Sequence, residues 1–411
     1  MRPSVNVTAP GLVPEAPQAP VAAYVTRKLL VRAARTAGIT VAHVGDPGSG
    51  HDGHADLRIL RPDAFYARLG ARGLIGFGEA YTAGDWEADD LAGTLTALCR
   101  KFTTLVPGWM QRFRAVYLRR RPRAHRNTVD GARANISHHY DLSNDFFATF
   151  LDPGMSYSSA LFASSGMSLR EAQNAKMDRV LDRAGVGAGT RLLEIGTGWG
   201  ELAIRAAGRG AHVHSVTLSS EQADLARERA VQAGVAGLVD IGIRDYREVE
   251  GQYDAVVSVE MIEAVGHEYW DAYMATLRDR LVPGGTAVIQ AITMDHHRMT
   301  ASKDNATWIT SYIFPGGCIP SVEALDAAAV RAGLRPGARR FFGPDYAETL
   351  RRWDEAFHRE GDRVGRLGFD TTFRRLWHFY LAYCQAGFAA GYITVGQLEF
   401  HRPHYHQEKQ S

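Results

Sequence analysis

Cysteine is nearly missing from this sequence. Cys99, Cys318 and Cys384 are the three in 411 residues, far apart and without a CxxC pair, which excludes a disulfide framework and a cysteine zinc site. A reducing compartment fits best. No apolar run approaches the ~20 residues of a membrane-crossing helix, and the start lacks the short apolar core of a signal peptide. The expectation is a soluble, cytoplasmic protein. Neither sign of charge dominates, since 47 Lys and Arg stand against 45 Asp and Glu for a formal net charge of +2, so overall charge names no partner. Metal-ligand patterns are also lacking. The adjacent pairs His138-His139 and His296-His297 point apart and no carboxylate–histidine helix motif follows, so no metal is expected. What is present is ordinary for a globular protein, with 45% hydrophobic and 22% charged residues. At roughly 150 residues per domain, the length suggests two or three domains, or one large core with additions.

Residues 1–20 carry Pro3, Pro10, Pro14, Pro17 and Pro20 among small residues and read as a disordered tail. Residues 21–105 read as a small first domain, with a helix near Val25–Ala37, a loop at Gly45–Gly53 and the segment Gly73-Leu-Ile-Gly-Phe-Gly-Glu-Ala-Tyr81. Residues 106–135 form a linker. Within it, Gly108–Arg121 spaces Trp109, Phe113, Val116 and Tyr117 for one helical face and leaves arginines on the others. A packed linker helix with a solvated basic face is the plain reading. Contact with anionic lipid headgroups is the sharper one, at about 1 kcal/mol per arginine near the surface. No groove-reading motif accompanies the arginines, so nucleic acid is not expected. Residues 136–400 read as the catalytic domain. His401, His404 and His406 fall in a solvated tail over 401–411.

From Arg191 onward, β-branched and aliphatic runs alternate with helical patterns, the signature of βαβ units and a parallel, doubly wound α/β sheet. The spacing predicts strands at Arg191–Ile195, His212–Thr217, Val239–Ile243, Tyr253–Val259 and Thr286–Ala291. Helices are predicted at Glu201–Arg209, Glu221–Gln232 and Tyr269–Leu281, with Leu281–Gly285 as a turn.

The chemical signal is the turn Leu193-Glu-Ile-Gly-Thr-Gly-Trp-Gly200, between a strand and a helix. Gly196 and Gly198 allow positive φ and close approach of a ligand, while the acidic Glu194 can meet a cation. A nicotinamide cofactor calls for GxGxxG; the spacing here is GxGxG. Thr217-Leu-Ser-Ser-Glu-Gln222 closes the second strand with hydroxyl, amide and carboxylate groups suited to a ribose. S-adenosylmethionine, which carries an ammonium and a sulfonium, matches this set. A glycine turn alone can be structural, but strand, turn, helix and second loop agree.

The sequence resembles the cyclopropane-fatty-acid synthases and related lipid methyltransferases from about residue 25 to residue 400. The likeness rests on that turn and on His139-Tyr-Asp-Leu-Ser-Asn-Asp-Phe146, Met155-Ser-Tyr-Ser-Ser-Ala160, Glu260-Met-Ile-Glu-Ala-Val-Gly266, Tyr312-Ile-Phe-Pro-Gly-Gly-Cys-Ile-Pro320 and Phe342-Gly-Pro-Asp-Tyr346. Phe379-Tyr-Leu-Ala-Tyr-Cys-Gln-Ala-Gly387 is similar to the family's last helix, and the stretch Gly73–Leu91 is similar to the smaller N-terminal domain of its bacterial members. The resemblance implies a class I, Rossmann-like methyltransferase sheet with helical additions and a smaller N-terminal α+β, lipid-binding-like domain. It implies S-adenosylmethionine bound by Tyr157, Ser158, Leu192, Leu193, Glu194, Ile195, Gly196, Thr197, Gly198, Trp199, Gly200, Thr217, Leu218, Ser219, Ser220, Glu221, Gln222, Asp245 and Tyr246.

The reaction implied is methylation of a cis double bond in an acyl chain of an unsaturated phospholipid, then proton loss to close a cyclopropane. An alkene is a weak nucleophile, so the protein's task is chiefly positioning. Tyr157 and Tyr346 are candidates to face the carbocation. The resemblance assigns proton removal to a bound bicarbonate held by Ser159, Glu263, Gln290, the backbone of Ile292, and Tyr346. Ser159 stands where the best-known bacterial synthases have cysteine, and Gln290 where they have histidine. Each can hydrogen-bond an anion, yet the departure leaves a methyl- or methylene-branched product as the alternative to a ring. A C-methyltransferase acting on a soluble metabolite and a non-catalytic cofactor-binding protein are the remaining readings. Cys384 matches a cysteine suspected of catalysis in the family; on an apolar helix a cysteine is more often a small core residue. Peripheral membrane contact and a homodimer are implied by the resemblance.

Overall fold

The computed structural model describes residues 12–44, 55–101 and 142–404. The loop 45–53, the basic segment 108–121, His138, His139, His406 and most of both tails lie outside the described residues. Two compact units are formed, and packing rather than chain order divides them. Residues 1–121, 304–313 and 350–392 belong to the first unit, and 122–303, 314–349 and 393–411 to the second. Segments 304–313 and 350–392 thus leave the range read as the catalytic domain.

In the first unit, α1 (Pro20–Ala37) starts on a proline whose fixed φ suits a helix N-terminus and ends on Gly38 at φ 72°. The chain is therefore helical five residues before the predicted start at Val25. A three-stranded sheet follows from β1 (Val41–His43), β2 (Leu57–Ile59) and β3 (Trp86–Glu87). Helices α2 (Pro62–Ala83) and α3 (Leu91–Arg100) pack with the helix Thr371–Ala389. Gly70, Gly76 and Gly78 of α2 serve close packing, whereas Gly73, at φ 56°, marks a kink in the helix. A Cβ on Gly78 would lie 2.4 Å from the Trp308 ring. Buried aromatics fill the interior, with Phe77 on Trp86 at 4.5 Å and Trp308 on Phe379 at 4.7 Å between ring centroids. The first pair is stacked and the second edge-on, and both arrangements add to what burial of the rings contributes.

The second unit holds the sheet. Its strands are β4 (Arg191–Ile195), β5 (His212–Thr217), β6 (Val239–Ile243), β7 (Tyr253–Val259), β8 (Leu281–Met294), β9 (Arg335–Phe341) and β10 (Ile393–His401), in the order β6-β5-β4-β7-β8-β10-β9. The first five are parallel, as predicted; β10 and β9 extend the sheet antiparallel. The predicted turn at Leu281–Gly285 lies inside β8, where a register shift between Tyr253 and Ala255 absorbs the Pro-Gly-Gly. Strand β9 escaped prediction because it is a charged edge strand, mostly exposed, with no apolar alternation.

Alternation along the central strands feeds two cores. Leu193, Val256 and Ile289 join one cluster with Tyr273 and Leu277; Leu192, Val257 and Val288 join another with Leu202 and Ala206. Helices cover both faces. Because β5 and β7 flank β4, the chain leaves β4 at the switch point of the sheet, where a crevice opens at the carboxyl ends of the strands.

Candidate active site

The glycine turn lies at the end of β4. Gly196, Gly198 and Gly200 have φ of 99°, 51° and 87°. A Cβ on Gly200 would meet that of Ala226 at 2.8 Å, so this glycine permits helix contact, whereas nothing lies within 4 Å of a Cβ on Gly198. The open side of the turn is therefore at Gly198. The turn is held from outside: the Trp199 indole donates to Asn144 Oδ1 at 2.7 Å, and the Arg229 guanidinium donates to the Trp199 carbonyl at 2.7 Å.

Glu194 is buried, and Ser215 Oγ donates to it at 2.5 Å while sharing a second bond with Thr197. Burial raises the Glu194 carboxyl to about 8, with Ser215 and then Lys176 opposing the shift. Leu192, Leu193 and Ile195 send their side chains into the cores, leaving only their backbone near the turn. After β5, Thr217 Oγ1 donates to Gln222 at 3.0 Å, and Ser219 caps the helix Ser220–Gln232. Leu218 is half-buried, and Ser220 and Glu221 are exposed. Asp245 is buried and paired with Arg247 at 2.7 Å, and Tyr246 packs edge-on to Tyr273. An open glycine turn, hydroxyls after β5 and acids at three strand ends suit a ligand with a ribose and two cationic centres, so the donor set fits S-adenosylmethionine.

The second cluster lies at the ends of β7 and β8. Ser158 Oγ accepts from the buried Lys176 Nζ at 2.6 Å, and burial lowers that lysine to about 8. Tyr157 stands edge-on to Phe147 at 5.2 Å between ring centroids. Ser159, Gln290 and Tyr346 come together, but around a residue absent from the predicted set. Glu260 Oε1 accepts from the Ser159 backbone N–H at 2.9 Å and from Gln290 Nε2 at 2.8 Å; its Oε2 accepts from the Tyr346 hydroxyl at 2.7 Å. The Ser159 hydroxyl, expected to bind an anion, donates to the Ala160 carbonyl.

Ile292 N–H donates to Glu263 Oε1 at 2.5 Å, and Glu263 Oε2 is buried with no hydrogen-bond partner among the described residues. Burial first, and the neighbouring Glu260 second, raise Glu263 to about 8. Burial also raises Glu260, against the opposing donors Tyr346, Gln290 and Ser159. The bicarbonate implied by resemblance does not fit this arrangement, since its intended donors already serve two carboxylates of the chain.

Lys176, Glu260 and Gln397 are the members that the sequence reading missed. Gln397 Nε2 donates to Gln290 Oε1 at 3.1 Å, turning the Gln290 amide nitrogen toward Glu260. One signal was available for Glu260, an acid directly after a predicted parallel strand. Cys384 falls in the first unit, where burial drives its thiol far above the usual range and keeps it protonated, contrary to a nucleophile's needs. Also in that unit, His378 Nδ1 lies 2.8 Å and His358 Nδ1 3.4 Å from Asp354 Oδ1, the one group of three potential metal ligands found among the described residues. His378 Nδ1 hydrogen-bonds to the Asp354 carboxylate and His358 Nδ1 to the Asp354 backbone carbonyl, each at 2.8 Å.

Comparison with known proteins agrees with this geometry. The family model described as mycolic acid cyclopropane synthetase matches residues 127–398. A tuberculostearic acid methyltransferase, UfaA1 of Mycobacterium tuberculosis, is 48% identical over 94% of this chain and 92% of its own. The cyclopropane-fatty-acyl-phospholipid synthase of Escherichia coli K12 is 34% identical over 85% of this chain and 88% of its own. Among solved structures, the M. tuberculosis cyclopropane synthase MmaA2 has a TM-score of 0.61 at 30% identity, covering 66% of this chain and 98% of that one. Mycolic acid cyclopropane synthase CmaA1, solved with SAH and CTAB, has the same TM-score, identity and coverage. The chain belongs to the mycolic acid cyclopropane synthetase family, and it is an S-adenosylmethionine-dependent methyltransferase.

Proposed function

We propose that this enzyme methylates the cis double bond of an unsaturated acyl chain in a phospholipid and releases a methylene-branched chain, from which a separate hydride donor would give a methyl branch. The observation that carries the reading is the carboxylate of Glu260 among three donors at the strand ends. Methylation at an alkene carbon must end with loss of a proton from carbon, and that calls for a base held in a site with little water. The choice of branch over ring draws on the relative of 48% identity, which carries a methyltransferase's name and not a cyclopropane synthase's. It draws also on Ser159 and Gln290, which depart from the residues of the ring-forming enzymes.

When bound, S-adenosylmethionine supplies an electrophilic methyl carbon to the alkene. Gly196, Thr197 and Gly198 would hold it through backbone, with Glu194, Thr217, Ser219, Glu221, Asp245 and Tyr157 around it. Tyr157 and Tyr346 offer ring faces to a cation on the acyl chain. Access to phospholipid is ascribed to peripheral membrane contact through the arginines of 108–121. Among the described residues no helix is long and apolar enough to cross a membrane. A homodimer is proposed by analogy alone.

The test is to feed methyl-labelled methionine to cells expressing the protein and to analyse their fatty acids by mass spectrometry and NMR. Labelled branches are expected. Labelled cyclopropane ring protons would overturn the product and keep the substrate, and an absence of labelled lipid would overturn both.

A further inference from the structure

We infer that Glu260 is the enzyme's built-in general base, its carboxylate taking the proton that leaves carbon in place of an external bicarbonate. This rests on the acyl-methylation reading above, and four observations support it. Two of the groups expected to bind a small planar anion, Gln290 Nε2 and Tyr346 OH, converge with the Ser159 backbone N–H on the Glu260 carboxylate at 2.7–2.9 Å. A carboxylate has about four lone-pair positions, and three are used, which leaves one for an incoming proton. The backbone is unusual as well: Glu260 has a φ of +50°, a positive φ shared among the described non-glycine residues only with Met155. Such a conformation persists where the surroundings enforce it, commonly at functional sites. Its own N–H donates to the Gln290 carbonyl at 2.8 Å, fixing the strand end.

The donors are themselves held. Gln397 orients the Gln290 amide, and it also donates to the Lys176 carbonyl at 3.1 Å. Finally, Glu263 does not compete. Its Oε2 lacks a partner among the described residues, as a neutral acid tolerates better than a carboxylate does, whereas the rise that burial gives Glu260 is opposed by its three donors and then by Lys176.

The step balances without an oxidant or reductant. Once the alkene's π pair has bonded to the methyl carbon, the neighbouring carbon is electron-poor. A 1,2-hydride shift from the methyl-bearing carbon moves the deficiency onto that carbon. A Glu260 oxygen then bonds to a hydrogen of the added methyl group as its C–H bond breaks, and that electron pair becomes the second bond of a methylene branch, whereas without the shift the same pair would close a ring. The carboxylic acid then returns its proton to solvent.

The experiment uses the full chain, S-adenosylmethionine and vesicles of unsaturated phosphatidylglycerol, in buffer stripped of carbon dioxide and then with bicarbonate restored. The wild-type rate is expected to stay within about twofold between the two buffers, while Glu260→Gly falls on the order of 100-fold and recovers in part with bicarbonate. Glycine suits the backbone at φ +50°, so this variant removes the carboxylate without straining the chain. Glu260→Gln keeps the side chain's volume and should stay inactive in either buffer. In parallel, line broadening of 13C-bicarbonate in NMR should report binding to Glu260→Gly and none to wild type, whatever the lipid turnover. A wild-type enzyme that binds the labelled ion as tightly as the variant, or that stops when it is removed, overturns the proposal, as does a fully active Glu260→Gly in stripped buffer. Should wild type transfer no methyl to lipid, the acyl reading fails by itself and the ion-binding arm still decides whether Glu260 has taken the ion's place.

Discussion

The ends of β4 and β7, neighbouring parallel strands, both turn through the left-handed region, Gly196 at φ 99° and Glu260 at φ 50°. At β4 the conformation falls on glycine, costs little, and leaves backbone open to a ligand. At β7 it falls on a glutamate and brings a carboxylate among three donors. One end of the crevice is built by leaving side chains out, and the other by forcing one in. The same contrast separates Glu260 from Glu263, three residues on. Glu260 accepts from three donors, whereas Glu263 accepts from Ile292 N–H and leaves Oε2 unpartnered among the described residues. A shared strand end thus holds one acid among three donors and one with an unpartnered oxygen, the difference of environment by which paired carboxyl groups take different roles.

The largest effect expected from breaking this contrast, beyond the Glu260 variants themselves, is that of Tyr346→Phe. Removing a hydroxyl that donates to a charged carboxylate costs roughly 1.5–3 kcal/mol, so kcat should fall between about 10- and 100-fold. Affinity for S-adenosylhomocysteine, measured by calorimetry, should hardly change; a parallel loss of affinity would mean that Tyr346 serves the turn instead. Next comes Gly198→Leu. A leucine at φ +51° costs about 1–2 kcal/mol, and its side chain would enter the open side of the turn, so donor affinity should drop at least roughly tenfold. Unaltered affinity would refute the placement of the donor at this turn.

How much of this was legible in the sequence follows from the same contrast. The glycine turn announced itself because positive φ and close approach select a residue type, and the parallel strands because burial on both faces gives continuous aliphatic runs, as in Leu192-Leu193 and Val256-Val257. Glu260 was quoted within a motif and passed over; its place directly after a predicted strand was a signal, but position alone does not say which acid of Glu260-Met-Ile-Glu263 gathers the donors. That is set by β8 and β10, which bring Gln290 and Gln397 side by side from 107 residues apart. Lys176 was hidden for a related reason. It sits on the helix Leu169–Arg183, where a lysine reads as solvated, and only the fold buries it against Ser158. Likewise the helix Thr371–Ala389 was visible as apolar, while its assignment to the first unit depends on packing against α2 and α3.

Two weaker perturbations sharpen the comparison through stability. Because burial raises Glu263 to about 8, the folded chain keeps a proton that the unfolded chain releases above the ordinary carboxylate range. Stability then falls as pH rises from that range toward 8 and levels off beyond. Urea unfolding of Glu263→Gln, which has no proton to lose, should show a shallower decline over that window; an unchanged slope would assign it to other groups, Glu194 first among them. Smallest is Asn144→Ala, which frees the Trp199 indole. A loss of about 1 kcal/mol is expected in the same unfolding assay, with kcat nearly unchanged. A large fall in kcat would show that the turn needs this outer support to hold its ligand.

The most direct test of the central claim is a crystal structure of the full chain with S-adenosylhomocysteine, grown in bicarbonate. The account predicts continuous density from the Glu260 backbone to the carboxylate facing Ser159 N, Gln290 Nε2 and Tyr346 OH, with no separate ion among them. A free planar anion in that place, with Glu260 turned away, would contradict it.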